Sequence, residues 1–386
     1  MVMNNSSSDS LNKLFQLDPK FVYLNHGSFG ACPLPIFKER EKWQKDIEKQ
    51  PVSFIQDKAL DLLDWSRNSL SEFIHCDKDD IVYFPNPTTA MNMVIRSLDL
   101  KPGDEVLTSN HEYGAIDKTW EFMVRKKGFT YKAIDIQLPV TRDNFIDTFK
   151  DNISSNTKII FLSHITSSTG MIFPIKEICK IAKERGIITI IDGAHVPAHI
   201  ELDIMKLAPD IYTGACHKWM LCPKGVSFLY CSKEMQDKLE PLVVSWGWES
   251  DMPSSSKFLD HNQYQGTNDI SSYLCVPKAI EFLDNNCWEE VRKECRKKII
   301  EIREILLPTL GTDPICDENL LGQMTSMIVN ISDPLDLYQF LKNNNIEIPI
   351  IPWNNMVLLR VSYQCYNSME QIEYLDHHLK KYLDSI

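Results

Sequence analysis

Apolar and polar residues follow two alternating patterns along the chain from about Ile81 onward. Short runs rich in β-branched residues predict strands, and the segments between several of them carry apolar residues at helical spacing. The predicted strands are 81–84, 105–109, 131–138, 158–165, 187–192, 211–214 and 225–231. The predicted helices are 88–98, 115–128 and 175–186. This alternation predicts an α/β fold whose mostly parallel, seven-stranded sheet lies between two layers of helices.

The pattern changes after Gln265. It then predicts a long amphipathic region at 271–310, a strand at 324–332, a helix at 333–344, a strand at 357–365 and a closing helix from Met369. We therefore expect a large α/β domain at 20–270 and a smaller α+β domain at 271–386, with residues 1–19 packing near the smaller domain. The Asn/Ser-rich segment Met3 to Ser10 predicts a frayed end.

Charge and composition exclude several classes of function. The 386 residues include 41 Lys+Arg and 53 Asp+Glu, and the net charge of −12 argues against a nucleic-acid partner. No run of about 18 apolar residues occurs, and Met1 to Leu11 lacks the basic and apolar regions of a signal peptide. The eleven cysteines include no CxxC pair, so they predict reduced core thiols. We expect a cytoplasmic protein with no membrane segment and no metal site.

An acid and a lysine near the ends of two predicted strands are the most informative residues. Asp192 ends an apolar strand at the edge where ligands bind in open α/β sheets, and a carboxylate there is costly unless it is paired. Lys218 follows the next predicted strand, between His217 and Trp219. Pyridoxal 5'-phosphate needs such a pair, because the lysine forms a Schiff base and the carboxylate keeps the pyridine nitrogen protonated.

Two threonines could hold the phosphate of this cofactor. Thr88 and Thr89 follow a predicted strand and open a helix, where hydroxyl groups and free amides can bind a phosphate dianion. Taken alone, the same pair is also explained by a helix cap that binds no ligand. The phosphate interpretation therefore depends on Asp192 and Lys218.

Nine motifs span nearly the whole chain. They are YLNHGSFGACP at 23–33, NPTTAMN at 86–92, HEYGA at 111–115, SHITSSTG at 163–170, IDGAH at 191–195, CHKW at 216–219, PKG at 223–225, YQGTND at 264–269 and LRVSYQCYN at 359–367. Together and in this order they resemble the class V aminotransferase family, whose members are fold type I pyridoxal-phosphate enzymes. Within it, they are similar to the branch of isopenicillin N epimerases, cysteine desulfhydrases and ergothioneine C–S lyases.

The resemblance implies roles for the residues around the cofactor ring. Lys218 would form the Schiff base, and Asp192 would contact the pyridine nitrogen. His195 and Thr166 would lie near the phenolic oxygen of the ring, where they would tune the Schiff base. Lys218, Asp192 and Tyr113 are the expected catalytic residues.

The resemblance also implies contacts to the phosphate and to the ring face. His217 would join Thr88 and Thr89 at the phosphate. Either Tyr113 or His111 would stack on the ring, because an aromatic group over the ring face fixes its tilt. The spacing does not decide between these two residues.

A further motif implies a homodimer with shared active sites. Gly266 and Thr267 match a segment that, in relatives, reaches the phosphate bound by the neighbouring subunit. Many relatives carry an arginine after this threonine, whereas this chain has Asn268. The contact made by that arginine is therefore not expected here.

The substrate side of the site is implied by three residues. Arg360 corresponds to the family arginine that binds the α-carboxylate of an amino-acid substrate, for which a guanidinium fork is suited. Asn25 and His26 would line the substrate entrance. The expected partner is thus a small-molecule amino-acid substrate.

The reaction is less constrained than the cofactor. A Schiff base between cofactor and amino acid, followed by α-proton removal, can lead to β-elimination, epimerisation or transamination. The persulfide-forming cysteine of a desulfurase is missing, since 343–359 contains no cysteine and Cys365 follows Arg360 within the strand pattern. We favour a C–S lyase or L-cysteine desulfhydrase, with an isopenicillin N epimerase-like epimerase as the alternative and an aminotransferase after it. A catalytically inactive binding protein is the non-enzyme alternative.

Overall fold

The computed structural model describes residues 11–386, so the segment Met3 to Ser10 lies outside the described residues. The strands in chain order are β1 (Val22–Tyr23), β2 (Ile81–Phe84), β3 (Glu105–Ser109), β4 (Thr130–Ile134), β5 (Thr157–Ser163), β6 (Ile188–Asp192), β7 (Ile211–Ala215), β8 (Ser227–Cys231), β9 (Met324–Val329), β10 (Ile346–Glu347), β11 (Ile350–Trp353) and β12 (Met356–Ser362). The large sheet has seven strands in the order β2-β8-β7-β6-β5-β3-β4, and only β8 runs antiparallel to the others.

The central strands are apolar on both faces because helices cover the sheet on both sides. In β5, Ile159 and Phe161 belong to one buried cluster, whereas Ile160 and Leu162 belong to the other. Successive side chains point to opposite faces of a strand, so both faces must be apolar here. This two-sided burial produces the unbroken apolar runs in the sequence.

Helices connect and cover these strands. They are α1 (Leu34–Lys49), α2 (Pro51–Ser53), α3 (Ala59–Ile74), α4 (Pro87–Ser97), α5 (Gly114–Lys127), α6 (Arg142–Asn152), α7 (Ile175–Glu184), α8 (Ile204–Leu207), α9 (Lys233–Gln236), α10 (Lys257–Gln263), α11 (Val276–Asn285), α12 (Trp288–Leu310), α13 (Pro334–Asn343) and α14 (Met369–Leu383). A π-helical turn, Phe54–Lys58, leads into α3. The amphipathic region 271–310 divides into α11 and α12 at Cys287, which has a positive φ of 48°.

The C-terminal part has its own antiparallel sheet, in the order β11-β12-β9. The N-terminal segment reaches this part of the chain, because β1 pairs in parallel with β10. The domain boundary at residues 270 and 271 stays a prediction, and it falls between α10 and α11. Over residues 11–386, the structure has no helix with the length and apolar character needed to cross a membrane.

Four strands, β4, β5, β9 and β12, end two to four residues earlier than the sequence predicts, and β4 and β12 illustrate the difference. β4 ends at Ile134 rather than near residue 138, because the N–H of Ile136 donates instead to the side chain of Asn110, at 3.0 Å. β12 ends at Ser362, so Cys365 lies beyond the strand in which the sequence placed it. In both cases the apolar pattern continues into a loop that is itself partly buried.

Candidate active site

A cavity of about 260 Å³ opens at the carboxyl edge of the large sheet. The chain passes from β3 outward to β4 and returns to β5 on the other side of β3, which makes this edge a topological switch point. The cavity is lined by Ser28, Phe29, Asn86, Pro87, Thr88, Tyr113, Ser163, Ile165, Ser167, Asp192, Ala194, His195, His217 and Lys218. Six of the residues expected at the cofactor therefore meet in one place: Thr88, Tyr113, Asp192, His195, His217 and Lys218.

The amine of Lys218 lies in this cavity just after β7. Its Nζ is 3.1 Å from Nε2 of His195. Burial lowers the pKa of Lys218 to about 8, although the nearby carboxylate of Asp192 acts in the opposite direction. A lysine with this pKa supplies far more free amine at neutral pH than an exposed lysine does, so it is suited to bond with an aldehyde.

Asp192 ends β6, beside the end of β5, where its register partner is Ser163. Its Oδ1 accepts a hydrogen bond of 2.9 Å from the N–H of Ala194. Burial raises the pKa of this carboxyl group, while the Ala194 hydrogen bond and the charge of Lys218 oppose that shift. A carboxylate accepts more than one hydrogen bond, so Asp192 can also accept one from a donor bound in the cavity.

The start of helix α4 also lines the cavity. Its N-cap, Asn86, accepts hydrogen bonds at Oδ1 from the N–H of Thr89, at 2.8 Å, and from the Thr89 hydroxyl, at 3.0 Å. Pro87 has no N–H, and the N–H of Thr88 makes no hydrogen bond to any residue within 11–386. Thr88 therefore presents a free helix-start amide to the cavity, whereas the Thr89 hydroxyl is used in the cap.

His217 lines the cavity with one ring nitrogen already engaged. Its Nδ1 lies 2.7 Å from the carbonyl oxygen of Val226, to which it must donate. Burial lowers the pKa of His217 to about 4. Its Nε2 can therefore donate to a phosphate only when the ring is charged, and binding a dianion would favour that charged form.

Tyr113 and His111 have different surroundings, although both follow β3. Tyr113 lines the cavity and is 44% exposed. His111 is buried, with its Nδ1 3.0 Å from the Thr169 hydroxyl and its Nε2 3.1 Å from the carbonyl oxygen of Ile136. The hydroxyl of Thr166 also contacts Thr169, at 2.7 Å. His111 and Thr166 thus lie behind the cavity lining, and Tyr113 is the residue able to cover a ring.

Arg360 lies directly behind two serines of the cavity lining. Its Nη2 donates to Ser28 Oγ at 2.6 Å and to Asn25 Oδ1 at 3.2 Å, and its Nη1 donates to the carbonyl oxygen of Ser167. Its Nε has no hydrogen-bond partner within the described part of the chain. Asn25 therefore positions the arginine, and a carboxylate entering past Ser28 would meet a guanidinium that has few competing charges.

His26 does not lie at the entrance where the sequence placed it. It is fully buried, with Nδ1 2.8 Å from the Tyr366 hydroxyl and Nε2 3.2 Å from the carbonyl oxygen of Lys218. Burial lowers the pKa of His26 to about 3, which keeps the ring neutral. Its contacts support the backbone that carries Lys218.

Gly266 and Thr267 line a different, larger groove of about 750 Å³. This groove also contains Trp246 and Met252, and Lys218 and Asp192 are not part of it. One chain alone therefore does not bring this predicted phosphate segment to the cavity.

The structure adds site residues that the sequence reasoning missed. Asn86 was recognisable as a cap, because Asn before Pro is a common way to begin a helix. Glu112 lies between His111 and Tyr113 and is buried. It accepts hydrogen bonds from the Ser109 hydroxyl, at 2.6 Å, and from the N–H and hydroxyl of Ser163, both at 2.7 Å. It thereby links the ends of β3 and β5 below the cavity.

These groups fit pyridoxal phosphate. Lys218 can bond the aldehyde, and Asp192 retains acceptor capacity for a ring N–H. The open start of α4 at Thr88 suits a phosphate, and Tyr113 can pack on the ring.

Comparison with known proteins supports the family that the motifs resemble. The chain is 31% identical to isopenicillin N epimerase from Amycolatopsis lactamdurans over 384 residues, which cover 95% of this chain and 96% of the relative. It is 28% identical to a probable chloroplastic L-cysteine desulfhydrase from Arabidopsis thaliana over 402 residues, covering 95% of this chain and 83% of the relative. The branch that the motifs predict is therefore confirmed.

Solved structures confirm the predicted fold. A mutant of the C-DES protein, with glycine covalently linked to its pyridoxal-phosphate cofactor, superimposes with a TM-score of 0.84 at 19% identity and covers 98% of this chain and 99% of its own. The model of the class-V aminotransferase family matches residues 41–375. The chain therefore belongs to the class-V aminotransferase family.

Proposed function

We propose that this protein is a pyridoxal-phosphate-dependent enzyme that cleaves a carbon–sulfur bond in an amino acid, as a C–S lyase or L-cysteine desulfhydrase does. The buried Lys218 amine, beside His195 and near the Asp192 carboxylate at the ligand-binding edge of the sheet, is the observation that carries this proposal. When bound, the cofactor supplies an electron sink for the charge that develops on the substrate α-carbon.

The chain's own residues carry out the remaining tasks. Lys218, as a free amine, removes the α-proton, and Asp192 holds a proton at the ring nitrogen. Arg360 binds the α-carboxylate, reached past Ser28 and Ser167. Tyr113 covers the ring and limits access of water to the reacting atoms.

Elimination needs a single base. Lys218 supplies it, and the sulfur leaving group can then depart from the β-carbon. Epimerisation must also return a proton to the opposite face of the α-carbon. Tyr113 is the lining residue that could do so, and the identity of 31% to an isopenicillin N epimerase makes epimerisation the second candidate.

The sulfur is expected to leave with the product rather than to be carried by the protein. No cysteine lines the cavity within residues 11–386. Burial raises the pKa of Cys365, the cysteine closest in sequence to Arg360, to about 12, so it is a poor nucleophile.

The test is a product assay on the purified protein after incubation with pyridoxal phosphate. L-cysteine, cystathionine, a cysteine sulfoxide conjugate and isopenicillin N are each supplied in deuterated water. Sulfide or another sulfur product, together with pyruvate, supports the lyase. Deuterium exchange at the α-carbon without pyruvate supports the epimerase instead. A colourless protein that takes up no cofactor and converts none of these substrates would overturn the enzyme proposal in favour of a binding protein.

We also propose a homodimer in which each subunit completes the other's phosphate site. Gly266 and Thr267 line a groove away from their own chain's cavity. The same groove exposes Trp246 and Met252, whose side chains are 85% and 89% accessible. Exposed apolar groups around a groove are typical of a protein interface.

A cytoplasmic location is proposed on the basis of the cysteines. All eleven are free thiols, and most of them are buried. Unpaired cysteines in this number fit a reducing compartment.

A further inference from the structure

The ring of His195 receives a hydrogen bond on the side away from Lys218. The indole Nε1 of Trp219 lies 3.4 Å from His195 Nδ1. An indole N–H can only donate, so His195 Nδ1 must be the acceptor and carries no proton in the neutral ring. The neutral ring therefore carries its proton on Nε2, which lies 3.1 Å from Lys218 Nζ.

The charge state of His195 agrees with this assignment. Its side chain is 2% exposed, and burial, reinforced by the charge of Lys218 while that amine is protonated and by the charge of Arg360, lowers its pKa well below the usual value. His199 and His26 act in the same direction. A neutral ring has one N–H, and the contact with Trp219 determines which nitrogen bears it.

We propose that Trp219 is a positioning residue that fixes the tautomer of His195, so that an N–H at Nε2 points at Lys218 Nζ.

Trp219 is itself held by rings on two sides. The His199 ring lies 4.1 Å from the Trp219 ring at an angle of 33°, and the His26 ring lies 4.8 Å away at 49°. His199 Nδ1 donates to the carbonyl oxygen of His195, at 2.9 Å, and its Nε2 accepts from the N–H of Gln323, at 2.6 Å. The fully buried indole therefore cannot turn its N–H away from His195 without breaking these contacts.

The tautomer matters for the free amine of Lys218. An N–H at His195 Nε2 donates to the lone pair of a neutral amine and so stabilises the form that reacts with an aldehyde. A lone pair at Nε2 would instead accept from an ammonium group and stabilise the unreactive form. This consequence for catalysis rests on the proposed function, whereas the tautomer itself does not.

The tautomer can be measured directly at pH 9, where Lys218 is mainly a free amine, by NMR of the protein labelled with ¹⁵N-histidine, with the His195 signals identified by their loss in His195→Gln. In the wild type we expect the proton on Nε2. In Trp219→Phe, which keeps a ring between His26 and His199 but removes the donor, we expect a signal from the Nδ1-protonated form. A wild-type ring with the proton on Nδ1, or no change in Trp219→Phe, would overturn the proposal. If Trp219→Phe does not fold, a scalar coupling across the hydrogen bond from the Trp219 indole N–H to His195 Nδ1, measured in the ¹⁵N-labelled wild type, decides: its absence would overturn the proposal.

Trp120→Phe is the matched control. Trp120 is as buried as Trp219, but its indole N–H has no partner within residues 11–386. It should leave the His195 signals unchanged. In the lyase assay, Trp219→Phe should lower kcat by about tenfold with little change in KM, and Trp120→Phe should not. An inactive wild type with the expected tautomer would refute the proposed function while leaving the role of Trp219 intact.

Discussion

The cavity at the edge of the large sheet and the groove around Gly266 differ in how far one chain provides the contacts that each needs. The polar groups of the cavity find partners within the chain, whereas apolar side chains of the groove stay exposed. In and beside the cavity, Asp192 and Arg360 are buried and Lys218 is partly buried, and all three are hydrogen-bonded to neighbouring residues. In the groove, Trp246 is left largely exposed. One chain thus assembles the chemical centre alone, but it leaves an apolar surface that another protein surface would cover. Changes in the two regions should therefore have separable effects, on chemistry in the first and on assembly in the second.

The largest effect is expected for Lys218→Ala. This change removes the amine that both bonds the cofactor and abstracts the α-proton. Turnover should therefore fall by about 10³-fold or more, and the visible absorption band of the bound cofactor should be lost. The fold should persist, since the Lys218 amine contributes one hydrogen bond, to His195. Absorbance measures the cofactor band, circular dichroism measures the fold, and the lyase assay measures turnover. The exposed Lys206→Ala is the control, and a band that persists in Lys218→Ala would show that another lysine bonds the cofactor.

Trp246→Glu tests the groove instead of the cavity. A charge in the middle of a proposed subunit interface should raise the dimer Kd by about 30-fold or more, as loss of a central tryptophan commonly costs over 2 kcal/mol. Light scattering across a dilution series measures this change. Met205→Glu is a matched control, because Met205 is 68% exposed but lies outside the groove. If Trp246→Glu remains as dimeric as Met205→Glu, the groove is not the interface.

Arg360→Lys tests the substrate side of the cavity. Lysine keeps the charge but loses the guanidinium fork and its contacts with Asn25 and Ser28. KM for L-cysteine should rise by about 10- to 100-fold, because hydrogen bonds to charged groups contribute about 1.5–3 kcal/mol. Cysteamine, which lacks the carboxylate, serves as the comparison ligand in competition assays. The preference of the wild type for ligands with a carboxylate should shrink in the variant; an unchanged preference would mean that another group binds the carboxylate.

Much of the large sheet could be predicted because its strands are buried on both faces. The runs at β2 and β3 have the bounds that the sequence predicts, since their side chains are buried on both faces of the sheet and so form short, unbroken apolar runs. Asp192 and Lys218 stood out for a related reason, as charged groups at the ends of such strands. Helices α1 and α6 were missed because their exposed charged faces dilute the apolar pattern.

The direction of side chains in loops could not be predicted. Tyr113 and His111 follow the same strand, and only the hydrogen bonds of His111 to Thr169 and Ile136 turn it away from the cavity. The position of His26 depends on Tyr366, which is 340 residues away in sequence. Contacts between distant segments leave no periodic signal in the sequence, and the donation from Trp219 to His195 is of the same kind.

The smallest effect on activity is expected below the cavity, at Glu112, where a change should act on stability. Burial raises the pKa of this carboxyl group to about 8, even though Ser109 and Ser163 donate hydrogen bonds to it. The folded protein therefore holds a proton that the unfolded chain releases at about pH 4.3. Stability is lost as the pH rises between these two values, because ionisation then favours the unfolded chain.

Glu112→Gln removes this titration and keeps the shape of the side chain. Its free energy of unfolding relative to the wild type should therefore increase between pH 5 and pH 8, by on the order of 3 kcal/mol, since one pKa unit corresponds to about 1.4 kcal/mol. Urea unfolding at the two pH values measures the difference, and the exposed Glu121→Gln is the control. A difference that stays constant or falls with pH would mean that Glu112 is ionised in the folded protein. In that case the link between β3 and β5 would be made by a carboxylate, and the edge of the sheet would carry one more negative charge beneath Asp192.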